Sequence, residues 1–134
     1  LGLWFPDENF ACQCHLPSNQ PCDTIFFTEA LAVCSAIHSV VNMDEPPAKM
    51  LIYTDNSNTV TMFDSLRAKP AHNSLLLSAV DVLLKYGVDL QVEHIPGQQN
   101  IIADALSHFH NELVKDLIPT AQIFDFEPPQ DALG

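Results

Sequence analysis

At 134 residues the chain has room for one domain with a sizeable core and is too short for two ordinary ones. Hydrophobic residues make up 47% and charged residues 16%, with ten prolines and four glycines, which excludes disorder along the whole length. Acidic side chains outnumber basic ones 17 to 5 for a formal charge of −12, and that balance argues against tight, unaided binding to nucleic acid, because phosphate contacts need Lys and Arg.

No run approaches the roughly 18 uninterrupted apolar residues of a membrane span, so no membrane partner is expected. The opening Leu1-Gly2-Leu3-Trp4-Phe5-Pro6 lacks both the cationic start of a signal peptide and an initiator Met. It reads as a processed chain or one cut from a longer reading frame, and an intracellular location, cytoplasmic or nuclear, is expected. The four cysteines, Cys12, Cys14, Cys22 and Cys34, are expected as reduced thiols, since a domain this apolar does not need disulfide staples.

In chain order, Leu1 to Phe5 is a short apolar strand ended by the turn-forming Pro6-Asp7-Glu8-Asn9, and Phe10 to His15 is a second strand, which makes a hairpin. Residues 24 to 42 place Phe27, Leu31, Cys34, Ile37 or His38, and Val41 at helical spacing, with Glu29 in the first half. After Glu45-Pro46-Pro47, the run Met50-Leu51-Ile52-Tyr53 has the apolar character of a strand buried on both faces, with Thr54-Asp55-Asn56 at its C-terminal end. A second helix is predicted from about Ser57 to Leu66. A third runs from Asn73, an N-cap candidate, to Gly87, a C′ candidate. Asp89 to His94 alternates and is a strand. Pro96-Gly97 turns the chain, and Asn100 is placed to cap a last helix that carries Asp104. The fold class is therefore α/β, a mixed β-sheet flanked by helices over residues 1–118. Residues 119–134 form a tail with one strand-like stretch at 122–126.

Sheets of this class place ligands beyond the C-terminal ends of their strands, where Asp55 lies. Glu29, Asp55 and Asp104 come from three separate elements, each among apolar neighbours, and a carboxylate there is costly to bury unless it meets a cation. Taken singly, each is a cap or a solvated helix residue at least as readily as a metal ligand.

The strings around them, Thr28-Glu29-Ala30-Leu31, Leu51-Ile52-Tyr53-Thr54-Asp55-Asn56-Ser57-Asn58, and His94-Ile95-Pro96-Gly97-Gln98-Gln99-Asn100-Ile101-Ile102-Ala103-Asp104-Ala105-Leu106-Ser107, together resemble, in order, the ribonuclease H domain of long-terminal-repeat and related retrotransposons. The third string is the most specific, and the resemblance covers roughly residues 1 to 110. It implies a ribonuclease-H-like fold and a Mg²⁺-dependent ribonuclease acting on RNA, chiefly in RNA–DNA hybrids. Mn²⁺ is an alternative ion, and a polymerase module is the family's usual neighbour. By the same resemblance Glu29, Asp55 and Asp104 are metal ligands and catalytic residues. His94, ten residues before Asp104, matches a mobile histidine that helps proton transfer or product release. Asn56, Asn58 and Asn100 in these strings are the candidates for substrate contact. Mg²⁺ is a hard cation that takes oxygen ligands, and two such ions about 4 Å apart clamp the attacking and departing oxygens of an in-line displacement.

One part of the family pattern is absent. Its first Asp stands on a strand upstream of the segment that Leu1 to Phe5 resembles, so the resemblance implies an N-terminally truncated fold with weakened two-metal catalysis. A sheet missing that strand leaves backbone groups unpaired, and the expected remedies are insertion of Gln122 to Phe126, which would bring Asp125 near the gap, or a homodimer by strand exchange. The competing reading is a repurposed fold that no longer cleaves and serves as a binding or dimerising protein. A ribonuclease using paired histidines would need two convergent rings near a cation, and no pair among the six is forced together by the sequence. Cys12-Gln13-Cys14-His15 with Cys22 has poor zinc spacing and reads as buried thiols, and His108 and His110 read as exposed helix residues. The aromatic residues lack the cationic groove that base stacking requires, and Arg67 with Lys69 is the one local basic pair.

Overall fold

A computed structural model of the chain describes residues 1–6, 9–15, 25–42 and 47–129. It is mixed α/β, with strands β1 (Gly2–Phe5), β2 (Phe10–Gln13), β3 (Lys49–Thr54), β4 (Asp89–His94) and β5 (Gln122–Asp125). The helices are α1 (Ile25–Val41), α2 (Ser57–Ser65), α3 (Pro70–Tyr86), α4 (Ile101–Ser107) and α5 (Asn111–Leu117). The chain divides into two compact units, one made of Leu1–Ser18 with Pro96–Glu127 and the other of Asn19–Ile95 with Pro128–Gly134.

In the first unit, β1 and β2 form the expected antiparallel hairpin, with Leu3 opposite Cys12 and Phe5 opposite Phe10. Its turn uses Asn9 at φ 54°, a left-handed conformation that Asn tolerates better than most residues. The Asn9 side-chain amide then donates to the carbonyl of Thr120 at 3.1 Å and to its hydroxyl at 3.0 Å, which delivers β5 to the sheet. β5 runs parallel to β2, Phe10 facing Gln122 and Gln13 facing Asp125, and the strand order is β1-β2-β5. The stretch at 122–126 is thus a strand, but it occupies the edge of β2 away from β1 rather than a place beside β1. The hairpin's far edge was open, and Asn9 steers the returning chain there.

Helices α4 and α5 cover this sheet. Ala11, Ala105, Leu106 and Val114 form the buried core, with Trp4, Ile102 and Ile123 packed on it. The approach of α4 is close enough that a Cβ on Gly2 would lie 2.4 Å from the Ala103 carbonyl oxygen, so glycine is needed there. Asn100 was expected to cap α4 through its side chain. Instead its backbone carbonyl accepts from the Asp104 N–H at 3.1 Å, and its side chain makes no cap bond.

In the second unit, α1 and α3 pack through fully buried Leu31, Ile37 and Leu75, each contributing about 1.5–3 kcal/mol of burial. α3 begins at Pro70 rather than near Asn73, because proline at the first helical position has a preset φ and no N–H to leave unpaired. It ends as expected at Gly87, φ 65°, whose N–H returns to the Leu83 carbonyl. β3 and β4 pair in parallel from Lys49↔Asp89 to Thr54↔His94 as a sheet of their own. β3 is not buried on both faces: Leu51 is 50% and Tyr53 53% exposed. Among the described residues the sheet has two strands, and Leu51 and Tyr53 lie together on one face of it.

Candidate functional site

The best-organised polar arrangement in the second unit lies at the C-terminal end of β3. Thr54 is 3% exposed, and its hydroxyl donates to Glu29 Oε2 of α1 at 3.3 Å. The same hydroxyl accepts from the backbone N–H of Asn56 at 3.3 Å, while the Thr54 carbonyl accepts from the Ile95 N–H at 2.9 Å. Asn56 then caps α2, its Oδ1 accepting from the Thr59 N–H at 2.9 Å and the Thr59 hydroxyl at 3.1 Å. Thr59 is fully buried. Asp55 is therefore an exposed carboxylate on a backbone held on both sides. A strand that ends in a turn fastened in this way presents its next side chain with little freedom.

His94 ends β4 directly opposite Thr54 and is exposed. Asn58 is exposed in the first turn of α2. Five of the seven candidate residues, Glu29, Asp55, Asn56, Asn58 and His94, thus belong to one unit, and the pairing of β3 with β4 sets Asp55 and His94 at the same end of that sheet. Asn56 has a structural task, since its side-chain oxygen is spent on the cap. Thr54, which ties Glu29 to the strand, was missed by motif reading, although it stands inside the Thr54-Asp55-Asn56 string.

Asp104 and Asn100 belong to the first unit. Asp104 lies on the exposed face of α4, 3.5 Å from His108 Nε2, with both side chains more than half exposed. Exposed pairs of this kind are worth about 0–1 kcal/mol. Asp125 stands on β5 opposite Gln13, also in the first unit. Among the described residues, no three His, Cys, Asp or Glu side chains form a group that could hold a metal ion. Glu29 and Asp55, the two candidate carboxylates of the second unit, are hard oxygen donors of the kind Mg²⁺ takes.

Other candidates resolve into structure. Cys12, Cys14 and Cys34 are buried and outside any disulfide, and burial pushes the Cys12 and Cys14 thiols up, away from the thiolate that zinc requires. Cys22 lies outside the described residues. His38 Nε2 is 2.9 Å from the Ser78 hydroxyl, across the α1–α3 contact. His15 stacks on Phe109, and His108 and His110, exposed between α4 and α5 rather than on a helix, have their rings 5.7 Å apart, with His108 3.5 Å from Asp104. Comparison of the chain with protein-family models, with curated proteins and with solved structures finds no match.

Proposed function

We propose that the chain is a ribonuclease-H-like protein that hydrolyses RNA, in RNA–DNA hybrids, with Mg²⁺ or Mn²⁺ held at Glu29 and Asp55. The observation that carries the reading is the fastened end of β3, where Glu29 and Asp55 flank one buried threonine and His94 stands opposite. Thr54 orients Glu29 by donating to one of its carboxylate oxygens. Asp55, exposed on a held backbone, offers its carboxylate outward, and His94 is free to carry a proton to or from solvent. Bound there, Mg²⁺ would polarise the phosphodiester and lower the pKa of water. With only five Lys and Arg, the chain has little grip on a phosphate backbone, so cleavage should be slow and a neighbouring polymerase module would supply the hold.

The non-cleaving reading, a fold retained for binding or dimerisation, is favoured by the charge of −12. A labelled RNA–DNA hybrid incubated with Mg²⁺ and with Mn²⁺ separates the two. Cleavage that falls by more than about 100-fold in Asp55→Asn supports the nuclease. Cleavage indifferent to that substitution defeats it, and no cleavage with either ion supports the non-cleaving fold.

A further inference from the structure

The strand β3 is apolar and half-exposed, and among the described residues one of its edges carries no paired strand. Among the described residues β4 is its one paired neighbour. The carbonyls of Ala48 and Thr54 accept from the N–H groups of Asp89 and Ile95, so the even-numbered residues of β3 turn their backbone groups toward β4. The odd-numbered residues, Lys49, Leu51 and Tyr53, turn theirs to the open edge. Their side chains share one face with Asp55, the residue just past the strand, and all four are exposed.

We propose that this edge pairs antiparallel with the same edge of a second copy, giving a continuous β4-β3-β3-β4 sheet across a two-fold axis. The pattern selects the register. An antiparallel ladder on this edge must match odd residues with odd residues. With Ile52 on the axis, Leu51 faces Tyr53 of the second copy and Lys49 faces its Asp55, each pair twice by symmetry. The two half-exposed apolar side chains of each copy cover one another, and the strand's one cation meets an anion. Shifting the strands by one pairing step in either direction sets Leu51 against Leu51 or Tyr53 against Tyr53 and removes the Lys49–Asp55 match. Cross-strand aromatic–aliphatic and opposite-charge pairs are the units that stabilise a sheet. A two-stranded sheet is marginal alone, and four strands are not.

The other edge of the same sheet is built against such pairing. β4 carries Asp89, Gln91 and Glu93 on the corresponding face, so two copies meeting there would bring like charges together. The inference stands on the edge geometry of β3 and is independent of the nuclease reading, since its readout needs neither metal nor hybrid.

Sedimentation of the full chain between about 1 and 200 μM tests it, at about 0.15 M salt so that the net repulsion of two acidic copies is screened beyond roughly 8 Å. A reversible dimer is expected, weakened about tenfold or more by Lys49→Asp and by Asp55→Lys, restored to within about threefold by the two together, and weakened by Leu51→Lys. In the unaltered protein, hydrogen exchange at the Leu51 and Tyr53 amides should slow as concentration rises, while Ile52, bonded to β4, stays constant. A monomer throughout the range overturns the proposal. So does a dimer indifferent to Leu51→Lys, one in which the paired charge swap restores nothing, or one that leaves the Leu51 and Tyr53 amides unprotected.

Discussion

His72 shows how burial changes what an ordinary residue does. Its imidazole is 6% exposed, stacked on Phe26 at 4.3 Å and edge-on to Phe27 at 5.5 Å, and neither ring nitrogen has a hydrogen-bond partner among the described residues. Burial, and then the nearby Lys69 charge, hold its pKa below the usual 6.5. A histidine depressed in this way stabilises the fold fully above its unfolded pKa, and the contribution is lost as pH falls through the lower folded value. The melting temperature should therefore drop between about pH 7 and pH 5, and less steeply in His72→Phe, where no proton competes. Equal slopes for the two proteins would show that His72 is not the group responsible.

Gln13 is the corresponding case in the first unit. Its side-chain amide donates to the Leu106 carbonyl at 3.1 Å and to Asn111 at 3.0 Å, and its oxygen accepts from Asn111 at 2.9 Å. Gln13→Ala strands a buried carbonyl and an amide, and a loss of about 1–3 kcal/mol in urea unfolding is expected. Alternation in Phe10 to His15 marked position 13 only as one face of a strand; that it points inward depended on α4 and α5 arriving to cover it.

At the scale of elements, strand ends and helix caps decide where the candidate site stands. Asn56 joins β3 to α2 and fastens the turn that carries Asp55. Removing the cap in Asn56→Ala should cost about 1 kcal/mol of thermal stability, and it should slow hybrid cleavage if the held backbone of Asp55 matters to the reaction. A stability loss with cleavage unchanged would confine Asn56 to folding. The helix and strand types were legible from periodicity and from Gly87. The start of α3 was not, because Pro70 and Asn73 both offer helix beginnings and tertiary packing chose the earlier one. α5 gave no separate signal, being seven residues long with one fully buried side chain, Val114.

For the whole molecule, each unit carries a carboxylate that the ribonuclease resemblance names, Asp55 in the second and Asp104 in the first. Asp55→Asn should abolish most hybrid cleavage, and Asp104→Asn, measured beside it and with the double variant, shows whether the two losses are coupled. Independent, additive losses would mean that Asp104 acts elsewhere on its own helix, where His108 already pairs with it.

The order of strands and helices apart from α5, the hairpin, and the apolar core positions of α1 and α3 followed from composition and periodicity, which are local properties. Which edge β5 would join, which strand face would stay bare and which threonine would hold Glu29 did not, because backbone pairing and side-chain packing are settled between segments far apart in the chain. Leu51 and Tyr53 make the point. Their apolar character predicts burial, and only the tertiary arrangement, in which β4 is the one strand paired with β3 among the described residues, leaves them exposed.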